Sequence, residues 1–265
     1  MSHTSQQARS NAKAWAEGDH LAYYANRNLT PAEIRILVEH REALSQRVLD
    51  LGCGGGRLLS YLVMLGGEVH GIDLSPKMVE HCRRAFPAAD VRVGDLATIA
   101  SHVEGPFNAI LAADNLIDVF DDSERRSVLA ELRELLANPG GLLIFSTHDL
   151  AYHDRQQQSR EQGLARALLD TSPADLYRLA RNKRLITRNR RRLAPLERRD
   201  AGYAIVNDHP NYFGFLHYYI GRDDQERQLH ELGFELRECV ASHGELVGPG
   251  GTGPTDSLYY VATPQ

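Results

Sequence analysis

The sequence predicts a doubly wound α/β fold, and three observations carry that prediction. A short apolar run, Val48 to Leu51, holds an acid at Asp50 and leads into glycines at 52, 54, 55 and 56. Leu58, Leu59, Leu62, Val63 and Leu65 then recur at helical spacing. A second strand-like run, Glu68 to Leu74, carries an acid, Asp73, about twenty residues past the glycines. Strand and helix patterns go on alternating to Asp149.

The elements follow in order. Residues 1 to 20 are polar with one aromatic, Trp15, and read as a loose tail and a short helix. Thr30-Pro31-Ala32-Glu33 is a capping box with proline at the first helical position, and Ile34, Leu37 and Val38 line a helix running to Leu44. The glycine turn supplies backbone angles closed to other residues and lets a ligand approach bare backbone. The N–H groups at the start of the next helix favour electronegative ligand atoms. Asp73 stands where a ribose-binding carboxylate belongs, able to accept from both hydroxyls. The plainer alternative, that it caps the following helix, competes with Ser75 and Pro76, which suit the cap and first turn.

Met78, Val79, Cys82, Ala85 and Phe86 form a helical core stripe. Asp90 to Asp95 reads as a third strand and Phe107 to Ala113 as a fourth, leading into Asp114-Asn115-Leu116-Ile117-Asp118. Ligands of open sheets bind beyond the carboxyl ends of the strands, so Asp114 and Asn115 are site candidates. Asp118 reads only as a residue starting the next helix. Asp121 to Asn138 is the strongest helix, with Asn138-Pro139-Gly140 as its stop. Leu142 to Ser146 is a buried fifth strand, with Thr147-His148-Asp149 at its carboxyl end.

Residues 150 to 212 are polar and rich in arginine, far longer than an ordinary connection. They read as an insertion capping the active-site edge. Phe213 to Ile220 is aromatic and strand-like, Arg222 to Leu232 a helix, and Phe234 to Val240 and Leu258 to Thr263 two last strands joined through Gly248-Pro-Gly-Gly-Thr-Gly-Pro254.

Asp50-Leu-Gly-Cys-Gly-Gly-Gly56 resembles the first motif of the class I S-adenosylmethionine-dependent methyltransferases. Ile72-Asp73-Leu74-Ser75, Val93-Gly94-Asp95-Leu96 and Pro139-Gly140-Gly141 resemble their later ones. The resemblance implies a Rossmann-like, seven-stranded sheet with an antiparallel edge hairpin, plus the cap insertion. It divides the chain into an N-terminal helical lid (1–45), an S-adenosylmethionine-binding core (46–150), the arginine-rich cap (151–212) and C-terminal strands and helix completing the core (213–265). It implies cofactor contacts from Asp50, Gly52, Cys53, Gly54, Asp73, Leu74, Asp114 and Asn115, with Asp95 reading the adenine amine and Leu96 lying against the ring. Tyr23, Tyr24, Asn26 and Arg27 precede the first helix. By the same resemblance Tyr24 closes the site and Arg27 holds the methionine carboxylate. Surface packing is the equal alternative.

Net charge −5 gives no case for nucleic-acid binding by the chain as a whole, and 42% hydrophobic with 25% charged residues is the composition of an ordinary soluble protein. Three cysteines without metal or disulfide spacing suit a reducing cytoplasm. No apolar run spans a membrane, and the polar start does not read as a signal peptide. The expected acceptor is a small molecule or peptide. An RNA methyltransferase and a silent cofactor-binding protein of the same fold are the alternatives. Transfer from a sulfonium needs orientation and, for some acceptors, removal of a proton. His148, Asp149, His217 and Tyr218 are candidates for that role, beside His153 and His209, and Tyr219 for binding the acceptor. No metal is expected, because the fingerprint resembles the metal-independent branch, although Asp114, His148 and Asp149 are ligand types. Arg178, Arg181, Lys183, Arg184, Arg188, Arg190, Arg191, Arg192, Arg198 and Arg199 read two ways. They form a solvated helical face, or they capture an anionic substrate group, chiefly through Arg190, Arg191 and Arg192.

Overall fold

The computed structural model describes residues 6–16, 27–162, 173–208 and 210–265. Tyr23, Tyr24, Asn26 and His209 lie outside them. At Trp15 and Arg178 the backbone alone is described.

Seven strands form the expected sheet. They are β1 (Arg47–Leu51), β2 (Glu68–Asp73), β3 (Asp90–Val93), β4 (Ala109–Ala112), β5 (Leu142–Asp149), β9 (Phe234–Ala241) and β10 (Ser257–Pro264). The order runs β3-β2-β1-β4-β5, all parallel. β10 pairs antiparallel with β5, and β9 antiparallel with β10. Side chains alternate between faces along each strand. Val48 and Leu111 therefore enter one buried layer, and Leu49 and Ile110 the other.

The first layer is closed by α2 (Pro31–Glu39), α3 (Arg57–Leu65) and α4 (Pro76–Ala85), through Ile36, Leu37, Leu58, Leu59, Leu62 and Val79. The second is closed by α5 (Asp122–Glu134) and α8 (Arg222–Glu231), through Val128, Leu129, Leu132 and Leu229. The capping box at Thr30 forms as expected, with Glu33 N–H donating to Thr30 Oγ1 and Thr30 N–H to Glu33 Oε2. The helix it starts stops at Glu39 and resumes as a single turn, Arg41–Leu44. The expected helix to Asn138 ends at Glu134.

The sheet has ten strands where seven are expected. The other three are β6 (Arg198–Arg199), β7 (Tyr203–Val206) and β8 (His217–Ile220), an antiparallel ribbon that joins the sheet through β8. β4 stops opposite Phe145, and β5 continues for four residues. β8 pairs in parallel with its end, His148 with Tyr219 and Asp149 with Ile220. Two of these strands come from the segment expected only to cap the site. That segment also supplies α6 (Leu150–Gln162) and α7 (Pro173–Leu193). α7 is anchored by Leu193, which packs with Ile205, Leu216, Tyr218 and Ile220. The strand expected from Phe213 begins at His217, because Pro210–Phe213 forms a helical turn with Tyr212 and Phe213 at positive φ. At the start of the chain α1 (Gln6–Ala16) bonds to backbone near the end of β5. Asn11 Nδ2 donates to Val119 O and Leu216 O, and Gln7 Nε2 to Asp118 O and Leu216 O. Among the described residues no helix is long and apolar enough to cross a membrane.

Candidate active site

Two groups of side chains stand at the carboxyl ends of the central strands. The first surrounds the glycine turn after β1. Gly52 has φ +60°, and a Cβ there would stand 2.8 Å from Leu116 Cδ1. Gly56 has φ +86°, and a Cβ would overlap the Phe86 ring at 2.2 Å. Only glycine meets both demands. The turn is tied to the end of β2 by Gly54 N–H donating to Asp73 Oδ2 at 2.9 Å, while Ser75 N–H donates to Asp73 Oδ1 at 2.8 Å. Ser75 occupies the cap position but makes no side-chain cap bond, so the Asp73 carboxylate orders this turn. Each of its oxygens keeps a lone pair for a ligand. Burial raises its pKa, against the pull of the two N–H bonds.

Asp50 is buried, and its Oδ2 has no hydrogen-bond partner among the described residues. Desolvation pushes its pKa up to about 8, with Arg57 pulling the other way. Beyond β4, Asp114 and Asn115 take positive φ, 56° and 55°, a conformation that asparagine and aspartate tolerate best and that marks strained functional turns. Asn115 is held by its N–H to Ser146 Oγ (2.8 Å) and by its Nδ2 to Ser257 Oγ (2.9 Å), while its buried Oδ1 has no partner among the described residues. Asp114 pairs with Arg27 at 2.8 Å and with Arg57 at 3.2 Å, and Arg57 also pairs with Glu33.

Cys53 is buried beneath the turn, with its N–H bonded to Ile72 O, which suits a small turn residue. Leu74 is 48% exposed at the rim. Asp95 is exposed, and its Oδ1 accepts from Ala97 N–H at 2.9 Å to start a 3-10 turn. Leu96 packs against the core.

The second group lies at the end of β5. Asp118 is fully buried and accepts four hydrogen bonds. They come from Arg125 Nη1 (2.6 Å), Thr147 Oγ1 (2.6 Å), His148 N–H (2.8 Å) and His148 Nδ1 (2.7 Å). Burial alone would raise its pKa. Arg125 and His148 outweigh that and lower it. Burial works to depress His148, yet the bond to Asp118 leaves it raised. Across from it, His217 Nδ1 stands 2.9 Å from Asp208 Oδ1, and Tyr219 OH donates to Asp208 Oδ2. The His148 ring lies 4.9 Å from His217 and 4.8 Å from Tyr219, centroid to centroid.

The expected residues separate in these surroundings. His148, His217 and Tyr219 come together. Tyr218, on the opposite face of β8, is buried under the Arg125 guanidinium and donates to Asp122 Oδ1 at 2.5 Å, so it belongs to the core rather than to the mouth. Asp149 accepts from Ala151 N–H (3.0 Å) and Gly253 N–H (3.2 Å), which fixes the turn after β5. Arg190 lies over the Phe213 ring at 4.8 Å. Arg191 and Arg192 are exposed on α7, apart from the described histidines at the β5 end. Arg198 and Arg199 sit on the ribbon, and Arg199 pairs with Asp154.

Sequence reasoning missed Asp118, Asp208, Arg125 and the Arg57–Glu33 pair. Asp118 is 30 residues from His148 along the chain, and no spacing rule links them. For Arg57 a signal existed, since a cation directly after the glycines lies in the ligand's path.

Residues 48–141 match the family described as a methyltransferase domain. Over 123 residues the chain is 32% identical to a ubiquinone biosynthesis O-methyltransferase of Xanthomonas axonopodis pv. citri (strain 306), covering 45% of this chain and 50% of that protein. The chain thus spans about half the length of the curated relatives it matches. Among solved structures, it superposes on the Burkholderia thailandensis 1,6-didemethyltoxoflavin N1-methyltransferase, with bound 1,6-didemethyltoxoflavin and S-adenosylhomocysteine. The TM-score is 0.61, with 13% identity, over 100% of this chain and 92% of that one. A glycopeptide N-methyltransferase complexed with sinefungin gives TM-score 0.55, 18% identity, and 91% and 88% coverage. Residues 48–141 are thus similar to a methyltransferase domain, and the fold is the one shared by these solved methyltransferase structures.

Proposed function

We propose that this chain is an S-adenosylmethionine-dependent methyltransferase acting on an N or O atom of a small molecule or peptide. The observation that carries the reading is the set of groups around the glycine turn. Asp73 offers acceptors to a ribose, and Leu74 an exposed apolar surface to a base. Arg27 and Arg57 offer cations to a carboxylate, and the unpartnered Asp50 Oδ2 and Asn115 Oδ1 offer acceptors to an ammonium. Those groups fit S-adenosylmethionine, and Asp95 with Leu96 extends the rim on the adenine side.

When bound, S-adenosylmethionine supplies a methyl group on a sulfonium that is already reactive. The protein's part is to orient the acceptor and exclude water, which accounts for about 7–11 kcal/mol of barrier in well-aligned systems. His148, His217 and Tyr219 form the acceptor end, at the strand terminus beside Asn115. The exposed cations Lys183, Arg184, Arg188, Arg191 and Arg192 share an open groove on α7, which supports an anionic group on the acceptor. The free cysteines support a reducing, cytoplasmic setting.

The test is incubation with cell extract and methyl-labelled S-adenosylmethionine, followed by mass spectrometry. A labelled small molecule or peptide is expected. Tight binding of the cofactor with no labelled product would make this a ligand-binding protein on a methyltransferase fold, and labelled RNA would reassign the acceptor.

A further inference from the structure

We propose that His148, His217 and Asp208 form a binding site for a divalent transition metal of the zinc type, at the acceptor end. One ligand atom from each of the three lies within 4.8 Å of the other two, and among the described residues they are the group of three that could hold an ion. His217 Nδ1 and Asp208 Oδ1 already stand 2.9 Å apart. Bonds of about 2.1 Å set the ligand atoms of a tetrahedral ion about 3.4 Å apart. The widest separation must close by at most about 1.4 Å and the His217–Asp208 pair open by about 0.5 Å, both within reach of side-chain torsions.

The surroundings prepare these groups for an ion. The Asp118 carboxylate accepts from His148 Nδ1–H, so in the neutral ring the Nε2 lone pair is the ligand. A carboxylate behind a ligating histidine is the usual outer partner of such sites. Arg125 neutralises Asp118 from the far side, so that carboxylate is committed to orienting the ring. Tyr219 OH donates to Asp208 Oδ2, and both carboxylate oxygens lie 2.9–3.0 Å from His217 Nδ1, so an ion would take the place of the proton between them.

The donor set chooses the class of ion. Two imidazoles and one carboxylate suit zinc and its neighbours, whereas magnesium and calcium prefer all-oxygen shells. Three protein ligands leave an open position, the pattern of sites that bind substrate. Taken with the proposed function, that position falls to the acceptor's oxygen or nitrogen. Metal binding itself does not depend on the transfer reading. The site is also distinct from the Asp114, His148 and Asp149 grouping, since Asp114 is paired with arginines and Asp149 with backbone N–H groups.

The experiment strips the full chain with chelator and titrates it with zinc by calorimetry and with cobalt by visible absorption. The variants are Asp208→Asn and His217→Gln, and S-adenosylhomocysteine affinity is measured on every sample. One ion per wild-type chain is expected, with a cobalt spectrum of low coordination number. Affinity should fall at least about 100-fold in each variant, with S-adenosylhomocysteine binding retained. Absence of zinc binding in wild type that still binds S-adenosylhomocysteine overturns the proposal, and so does zinc binding that both variants leave unchanged. Failure of S-adenosylhomocysteine binding in every sample, with zinc bound as expected, would instead count against the transfer reading and leave the metal site standing.

Discussion

The two ends of this site are built differently. Around the glycine turn the two groups that organise the turn itself, Gly54 and Asp73, are 19 residues apart, and longer contacts such as Arg27 with Asp114 are added at its rim. At the end of β5 the groups come from distant places. Asp118 meets His148 at 30 residues, and Arg125 meets Gln225 and Gln228 at 100 and 103. The first end is a local device that a shared turn can carry from protein to protein. The second is held together by the fold, so changing it disturbs the whole molecule.

The strongest way to break this contrast is Asp118→Asn. Removing the carboxylate leaves Arg125 charged and fully buried, and unfolding stability should fall by about 3–5 kcal/mol, read by denaturant titration. An unchanged midpoint would show that the β5 end is no more welded to the fold than the glycine turn.

Asp73→Ala sharpens the contrast from the other side. It should weaken S-adenosylhomocysteine binding by about 1.5–3 kcal/mol, the range for hydrogen bonds to a charged group, with a smaller effect on stability. Calorimetry reads the first and thermal unfolding the second. Unchanged affinity would remove Asp73 from the site.

A third measurement concerns protons. The folded pKa of Asp50, about 8, lies above the carboxyl's ordinary value of 3.8. Its contribution to stability is therefore complete below pH 3.8, declines as pH rises and is gone above about 8. A cationic ligand beside it favours the ionised form and drives the proton off. Binding of S-adenosylmethionine at pH 7 should then release part of a proton, seen by calorimetry in buffers of different ionisation enthalpy, and Asp50→Asn should abolish the release. No buffer dependence in wild type would place the cationic part of the ligand elsewhere.

The smallest expected effect is on α7. Replacing Arg191 and Arg192 by glutamine should change stability by less than about 0.5 kcal/mol and weaken an anionic acceptor, once one is known, with a shallow salt dependence. No change in affinity leaves the run a solvated face, and a steep slope would point to many phosphate contacts.

The same contrast explains what the sequence could tell. The order β1 to β5, the glycine turn and Asp73 were legible because each depends on neighbours or on a fixed offset along the chain. The edge hairpin β9–β10 was legible for the same reason. In the ribbon, β8 was legible apart from its start, but β6 and β7 were not. Tyr203 to Val206 is a four-residue run inside a polar, arginine-rich segment, and it becomes a strand because Ile205 finds Leu193 and Leu216. Tyr218 and Tyr219 are adjacent and alike in sequence, yet strand alternation sends one under Arg125 and the other toward Asp208. Nothing short of the pairing of β8 with β5 decides which is which. Asp118 looked like a helix starter because its partners arrive only through the tertiary fold.

The N-terminal helix bears on the order of events. Asn11 grips Val119 and Leu216 beside the β5 end, and Arg27, a little further along the same chain, grips Asp114 beside the glycine turn. Described residues on either side of 17–26 thus bond at both proposed ends of the site. Under the proposed function, a ligand carboxylate draws Arg27 from Asp114 and takes over that ion pair beside the glycine turn. Such an exchange, completed before the acceptor arrives, predicts a compulsory sequence in turnover, cofactor first on and spent cofactor last off. Product-inhibition patterns would show it, with S-adenosylhomocysteine competitive against S-adenosylmethionine alone.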